Sequence, residues 1–394
     1  MPQVAHNGTD ARPPGLGLLG CGAFGRFCLR AYDRLPGVRL AAAARARSPE
    51  ARALCDELGM RVLGEYRDVI RDEEVDVVHV ATPPSSHREL AMAALDAGKH
   101  VLCEKPPALS ADEARELAEA ARRAGRFCAV NFVMRHAPVS AAVRRILRDG
   151  SLGRPLAARV TNLGSDAGLA PDHWFWDKRL SGGIFVEHGV HFFDLYGGWL
   201  GAGRVISAAA ADRLGPPVPA GAPTAEDRVQ CTVRHDSGAL VSHYHGFDQI
   251  GPMDRCEHVI SCEMGDVHVC GWLPERLVVD AAVDEAGAER LAACCPDGHM
   301  ETVDTYAGGP AIRGRGRMHH VTRRVRLLWH PTADKEALYA DCLRSLLGEQ
   351  LAWAADTSRD RLVTEPLGPA AVALAERAAR LAERAKTPTR ASDA

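Results

Sequence analysis

The chain has 394 residues, 46% of them hydrophobic, with 48 Lys and Arg against 51 Asp and Glu. At ~150 residues per domain this length predicts two domains, and the net charge of −3 excludes a dedicated nucleic-acid binder, which would be clearly basic. No apolar run approaches the ~20 residues that cross a bilayer, the N-terminus lacks a secretory apolar stretch, and the 12 cysteines are scattered without a CxxC pair, so a cytoplasmic protein with reduced thiols and no membrane contact is expected.

Residues 1–13 and 387–394 are small and polar and are expected to be disordered. Residues 14–137 alternate short apolar runs with amphipathic helices. Strands are predicted at Leu16–Leu19, Val38–Ala44, Val75–Ala81, His100–Cys103 and Phe127–Phe132. The first helix carries Phe24, Phe27, Cys28, Ala31 and Leu35 on one stripe. The next starts at a Ser48 cap, with Pro49 in its first turn, and stops at Gly59. Ser86 with Glu89, and Ser110 with Glu113, have capping-box spacing, and Gly98 and Gly125 close those helices. Such alternation folds into parallel strands with right-handed crossovers, a doubly wound sheet covered on both faces.

Over residues 138–386 the pattern changes. A helix at Ser140–Arg148 precedes alternating segments at Leu156–Asn162, Arg228–Val233, Ala239–His245, His258–Ser261, Val267–Cys270 and His319–Leu328. These predict a mostly antiparallel sheet. A long helix from about Gly183 to Leu200 interrupts them, and helices at Thr332–Leu347 and Gly368–Lys386 end the chain. Leu214–Thr224 and Ala307–Gly316 read as loops. The expected fold is α/β: an N-terminal Rossmann doubly wound parallel sheet, then a C-terminal α+β domain for substrate binding and oligomerisation, its last helix placed to pack back on the first domain. The open face of the second sheet is expected to be apolar and to bind another copy, giving a homodimer or homotetramer.

The segment Gly20-Cys21-Gly22-Ala23-Phe24-Gly25 is G-x-G-x-x-G between a strand and a helix. The first glycine permits a tight turn, the second lets a pyrophosphate approach the backbone, and the third lets helix and strand pack closely. The helix N-terminus adds free N–H groups. About 20 residues on, where an acid would meet the ribose of NAD, the stretch AAAARARS offers Arg45, Arg47 and Ser48. These groups suit a 2′-phosphate and favour NADP over NAD; a solvated strand end is the alternative.

Two further stretches lie at strand C-termini, where open α/β sheets bind ligands. One contains Thr82, Pro83 and His87, the other Glu104 and Lys105. A lysine there is partly desolvated and beside the cofactor's positive ring, influences that move it toward acid–base work. Farther on, Glu187 and His191 are four residues apart and share a helix face, with His188 between them. Trp174 and Trp176 suit the face of a sugar ring, and Lys178 and Arg179 a carboxylate or phosphate; an aromatic hinge on the central helix is the alternative. His243 and His245 share a strand face and read as interface or solvated residues. Nothing in their spacing shows three or four converging ligands, so no metal is expected. The basic run Arg313–Arg326 reads as a solvated sheet face or subunit contact.

In their order, GCGAFG, ATPPSSH…AGKHVLCEKP and GGIFVEHGVHFFD resemble the Gfo/Idh/MocA family, the glucose–fructose oxidoreductase and inositol dehydrogenase group, from about Gly15 to Leu374. The resemblance implies that Lys105 lies near the nicotinamide and the substrate hydroxyl and that His191 transfers the proton. Glu187 stands where the family has Asp, and Ser181-Gly182-Gly183 where it has three glycines. Arg135 matches an arginine that orders the junction after the last dinucleotide-domain strand. It joins Lys105, Trp174, Trp176, Lys178, Glu187, His188 and His191 in the expected substrate pocket. The implied activity is NAD(P)-dependent hydride transfer at a CH–OH group of a sugar, cyclitol or sugar-like substrate by a homo-oligomer. A cofactor-retaining glycosidase acting by transient oxidation and elimination would need the same Lys105 and His191. A non-catalytic dinucleotide sensor would have no use for three proton-handling groups.

Overall fold

The computed structural model describes residues 12–211, 213, 225–309, 311–314, 316–332 and 334–386. The predicted loop 214–224 and nearly all of the two predicted disordered ends lie outside the described residues. The N-terminal half alternates β1 (Gly15–Leu19), α1 (Ala23–Tyr32), β2 (Arg39–Ala44), α2 (Pro49–Glu57), β3 (Arg61–Leu63), α3 (Tyr66–Arg71), β4 (Val77–Val80), α4 (His87–Asp96), β5 (His100–Cys103), α5 (Ala111–Ala124) and β6 (Cys128–Val130). Its six strands are parallel, in the order β3-β2-β1-β4-β5-β6. Every residue of β1 and β4 is buried, because helices cover both faces; hence their continuous apolar runs.

Most of the helix punctuation forms as expected. Ser48 accepts from the Ala51 N–H, Ser110 accepts from the Glu113 N–H, and Gly125 ends α5 in the left-handed region. The Ser86 capping box does not form. Ser86 Oγ instead donates to the Pro83 carbonyl at 2.9 Å and lies 2.7 Å from Thr82 Oγ1, so it ties up the loop before α4.

The second half consists of α6 (Pro138–Asp149), β7 (Pro155–Ser165), α7 (Lys178–Ser181), a π turn at Phe185–Gly189, α8 (Val190–Leu200), β8 (Gly203–Ala211), β9 (Arg228–His235), β10 (Leu240–Gln249), β11 (Arg255–Cys262), β12 (Gly265–Cys270), β13 (Arg276–Val283), α9 (Glu285–Cys294), β14 (His299–Thr305), β15 (Ala311–Gly314), β16 (Arg317–His320), β17 (Arg323–Trp329), α10 (Lys335–Ala355) and α11 (Leu367–Lys386). Nine strands form one sheet, β14-β17-β13-β12-β11-β7-β10-β9-β8. Only its β7–β10 pair is parallel.

Two sequence expectations are corrected here. The predicted strand His319–Leu328 is two strands: β16 pairs with β15 in a separate hairpin, and β17 joins the large sheet. The break falls at Val321–Thr322, where Thr322 bonds Val283 and Tyr306 through its backbone. Part of the predicted loop 307–316 is therefore strand. The open face of the sheet is mixed and not uniformly apolar, with exposed Leu240 and Leu328 beside charged residues. It carries Arg159, Glu257, His268 and Arg326, and Asp280 lies 2.7 Å from both Arg324 and Arg326.

Helix α10 packs on α1, and α11 packs on α5, α8 and β8. Glu365 accepts from the Cys128 N–H and Glu376 from the Ala111 N–H, both at 3.3 Å. These contacts join the two sheets and hold the π turn and α8 over the C-terminal edge of the first.

Between α8 and the large sheet lies a core rich in imidazole. His188, His191, His243, His245 and His258 are all buried, so the HYH histidines are core residues and neither solvated nor at an interface. Neither ring nitrogen of His243 or His245 has a hydrogen-bond partner among the described residues. The rings pack as aromatics instead: Phe192 lies 4.7 Å from His245 and Phe193 5.0 Å from His243. Burial pushes His245 and His258 down to about 3, and pushes His188, His191 and His243 well below the usual histidine range. The unfolded chain takes up these protons from about pH 6.5 downward, whereas the folded one resists to about pH 3. Stability present above the unfolded value is thus lost as pH falls, by roughly 1.4 kcal/mol per pH unit for each histidine. Urea unfolding should show a midpoint that falls steadily from about pH 7 to about pH 5; an unchanged midpoint would contradict a neutral imidazole core.

Candidate active site

The glycine loop leaves β1 at Gly20. A Cβ at Gly20 would lie 2.4 Å from the Ala81 carbonyl oxygen, and one at Gly25 would lie 2.1 Å from the Gly20 carbonyl oxygen. Packing of strand, loop and helix fixes both. Gly22 differs, since nothing lies within 4 Å of where its Cβ would be. It is the N-cap of α1, so an open backbone surface meets the free N–H groups of a helix start. A diphosphate fits such a place.

The loop opens onto a cleft of about 660 Å³. The first sheet contributes Ala23, Phe24, Thr82, Pro83, His87, Glu104 and Lys105; the second half contributes His173, Trp174, Glu187, His188, His191, Trp272 and Tyr339. At the centre, Lys105 Nζ donates to Glu187 Oε1 at 2.5 Å and to the Glu187 main-chain oxygen at 3.0 Å. The two side chains are 17% and 10% exposed. Glu187, one methylene longer than the aspartate that the resemblance implies at this position, thus reaches across the junction to the lysine.

The neighbours fix this geometry. The ring nitrogens of His87 lie 2.6 Å from the Thr82 oxygen and 2.7 Å from the Pro106 oxygen, so one imidazole braces both loops. Burial lowers its pKa, while the two carbonyls, which can both be bonded only by the protonated ring, oppose that shift. Glu104 Oε1 accepts from Asn131 at 2.6 Å and lies 3.1 Å from His79 Nε2, which anchors the residue before Lys105. The expected helix from Gly183 does not start as one. Gly182 and Gly183 both have φ near +80°, at +81° and +82°, a conformation other residues rarely adopt. Ser181 Oγ donates to the Asp177 carbonyl and accepts from the Gly183 N–H, both at 3.1 Å. The π turn then carries Glu187 and His188 before α8 begins.

His191 sits in the first turn of α8 with Trp272 edge-on at 5.1 Å. Its Nδ1 has no hydrogen-bond partner among the described residues. Burial, and then the Lys105 charge, hold its pKa well below the histidine range. His188 is lowered by burial and by His245, Lys105 and His191. One cleft therefore holds an ammonium with two of its three donors committed to Glu187 and a neutral imidazole. Such a pair can polarise a substrate oxygen and take its proton.

Several predicted site residues lie elsewhere. Trp176 is fully buried, packed edge-on against Phe175 at 4.9 Å and beneath the Arg213 guanidinium at 4.0 Å. The 3₁₀ turn over Trp174–Trp176, with ~3 residues per turn, sends residues two apart to different sides; only Trp174 reaches the cleft. Lys178 bonds Glu226 at 2.5 Å and Glu383 at 2.8 Å, outside the cleft. Arg135 pairs with Asp194 at 2.6 Å and borders a different cavity. Arg45 pairs with Glu65 at 2.5 Å and lies 4.5 Å over the Tyr66 ring; it meets the cleft only through Tyr66, which lines it. Arg47 is exposed beyond β2, and Ser48 is spent on its helix cap. His173 stands beside Trp174 in the aromatic stretch but was given no role there, and sequence reading passed over Tyr66, Trp272 and Tyr339. No motif surrounds them, and they converge only through folding: Trp272 lies 5.6 Å from Tyr339, which lies 5.9 Å from Phe24.

The loop geometry separates two kinds of glycine. Gly22→Val should keep the wild-type melting temperature but lose dinucleotide affinity at least tenfold. Gly25→Ala should destabilise the fold by about 1–3 kcal/mol, the range for overpacking. Calorimetry of both variants checks this; equal dinucleotide affinity in Gly22→Val and wild type would contradict it.

Comparison with known proteins bears on this geometry. Residues 15–132 match the family described as an oxidoreductase family with an NAD-binding Rossmann fold, and residues 140–267 match the GFO/IDH/MocA C-terminal domain. A 1,5-anhydro-D-fructose reductase from Ensifer adhaerens is 31% identical over 236 residues, covering 59% of this chain and 68% of that protein. An inositol 2-dehydrogenase from Saccharopolyspora erythraea is 34% identical over 198 residues, covering 50% of this chain and 56% of that protein. The solved structure of a levoglucosan dehydrogenase in complex with NADH and levoglucosan superposes with a TM-score of 0.74 at 20% identity, covering 94% of this chain and 97% of that one; this likeness shows the fold. Two domain matches in order, each with its own sheet, establish that the chain belongs to the Gfo/Idh/MocA oxidoreductase family.

Proposed function

We propose that the protein is an NAD(P)-dependent dehydrogenase that transfers hydride at a CH–OH carbon of a sugar, cyclitol or related polyol. The observation that carries this reading is the meeting of the Lys105–Glu187 pair and His191 in one cleft whose other end is the open Gly22 backbone. A nicotinamide dinucleotide held at the Gly22 loop would supply the hydride chemistry. The chain's residues do the rest. Lys105 donates its remaining N–H to the substrate oxygen and stabilises the charge that develops there. Glu187 positions that ammonium. His191, neutral because it is buried, takes the hydroxyl proton in the oxidative direction, a role worth roughly 10²–10⁴-fold. Trp174 offers a flat apolar surface to the ring of a polyol. Positioning in such a cleft supplies up to ~7–11 kcal/mol in ideal cases.

For the dinucleotide, NADP is the better match. Residues 41–48 contain no acid to bond a ribose hydroxyl, and Arg47 is exposed at the end of β2 with no ion pair among the described residues. Arg45 is already committed to Glu65, so Arg47 is the residue that meets a 2′-phosphate.

A panel of sugars and cyclitols assayed with both dinucleotides tests this proposal. Lys105→Ala and His191→Ala should each lower kcat by roughly 10²–10⁴-fold with NADPH affinity nearly unchanged, and kcat/KM should be higher with NADP⁺ than with NAD⁺. Because His191 is held below the usual range, wild-type oxidation should persist under acidity that would protonate an ordinary histidine. Wild-type kcat in both variants would end the assignment; preference for NAD⁺ would end its NADP part.

A further inference from the structure

A second cavity, of about 680 Å³, runs along α8 beyond His191, between α6, β8 and α11. No residue borders both it and the cleft. Its volume lies within the ~300–1,000 Å³ typical of small-molecule sites. Phe193, Leu362, Leu367 and Leu374 give it apolar walls, and Leu362 is exposed at 37%. Around those walls stand five arginines against one carboxylate: Arg135, Arg144, Arg148, Arg204 and Arg377, with Asp194.

The charges do not balance internally. Asp194 is taken by Arg135, which bonds its carboxylate at 2.6 Å and its main-chain oxygen at 2.9 Å. Arg377 Nε donates to the Val205 carbonyl at 2.8 Å and leaves its terminal nitrogens free of any ion pair among the described residues. Arg144 and Arg148 are one turn apart on α6, and Arg204 is on β8; none of the three has an ion pair among the described residues. Burial, then the charges of Arg148, Arg135 and Arg145, push the Arg144 pKa down, and Glu349 is the one acid that opposes them. Arg144 thus feels the charges of Arg148 and Arg135, with Arg148 and Arg204 exposed at the cavity rim, and a bound anion would relieve that repulsion. A bare inorganic anion would gain nothing from the leucine and phenylalanine walls, and a neutral sugar would leave the arginines unmet.

We propose that this cavity binds a small amphipathic anion, an apolar body bearing one phosphate, sulfate or carboxylate group, at a site separate from the dehydrogenase cleft. The anionic group meets Arg144, Arg148 and Arg204, and the apolar body lies on Phe193 and the leucines of α11 and the segment before it.

Isothermal titration of the full chain with octyl phosphate, below its micelle concentration, tests this, with octyl glucoside and inorganic phosphate as controls. Octyl phosphate should bind one to one and at least tenfold more tightly than either control, with or without saturating NADPH. Arg144→Gln combined with Arg148→Gln and Arg204→Gln should weaken it at least tenfold. Ala373→Trp, which sets a bulky ring on the exposed wall of the cavity and removes no charge, should do the same, so a misfolded arginine variant does not blunt the test. Affinity equal to that of inorganic phosphate, affinity unchanged in the folded variants, or displacement by NADPH would overturn the proposal.

Discussion

One ion pair joins the two halves of this molecule at its working surface. Lys105 follows a strand of the first sheet, Glu187 lies in a π turn that belongs to the second, and they meet at 2.5 Å. Both are largely out of water, so the pair keeps its geometry only while both partners remain. Removing one partner of such a pair leaves an uncompensated charge, which costs about 3–5 kcal/mol when burial is complete. The site therefore exists only when the sheets are docked, and the chemistry depends on their relative placement.

The surroundings enforce that placement from both sides. On the first sheet, His87 braces two loops and Glu104 is pinned by His79 and Asn131. On the second, Ser181 and two left-handed glycines turn the chain into the π segment. Behind α8, a layer of histidines packs as neutral aromatic rings. That layer also sets the electrostatics: without a carboxylate bonded to it, His191 is neutral beside a fixed ammonium. Under the proposed function these two environments suit opposite roles, one group as donor and one as acceptor, as for paired groups whose surroundings push them apart.

The sequence was most legible where one local rule decided the outcome. The first sheet could be read because β1 and β4 are buried on both faces and because serine caps start α2 and α5 and left-handed glycines follow them. In the glycine loop, the tight packing at Gly20 and Gly25 and the open space at Gly22 follow the sequence reading. Spacing and family resemblance together singled out Lys105, Glu187 and His191, and the fold brings all three to one cleft. Legibility failed where distant pairing decided. Lys178 looked free until Glu226 and Glu383, far off in sequence, took it. Trp174 and Trp176 looked alike, but a 3₁₀ turn separates them. Alternation in β10 gave the right face for His243 and His245 but not its burial, because a polar residue type says nothing of which helix will cover it. Trp272 and Tyr339 belong to no motif and reach the cleft only through tertiary packing.

The central claim is a division of protonation across the domain junction, and neutron diffraction from deuterated crystals measures it directly. At neutral pH the account predicts three deuterons on Lys105 Nζ, with two aimed at Glu187, and a single deuteron on the His191 ring. A doubly deuterated His191, or a neutral amine at Lys105, would contradict it.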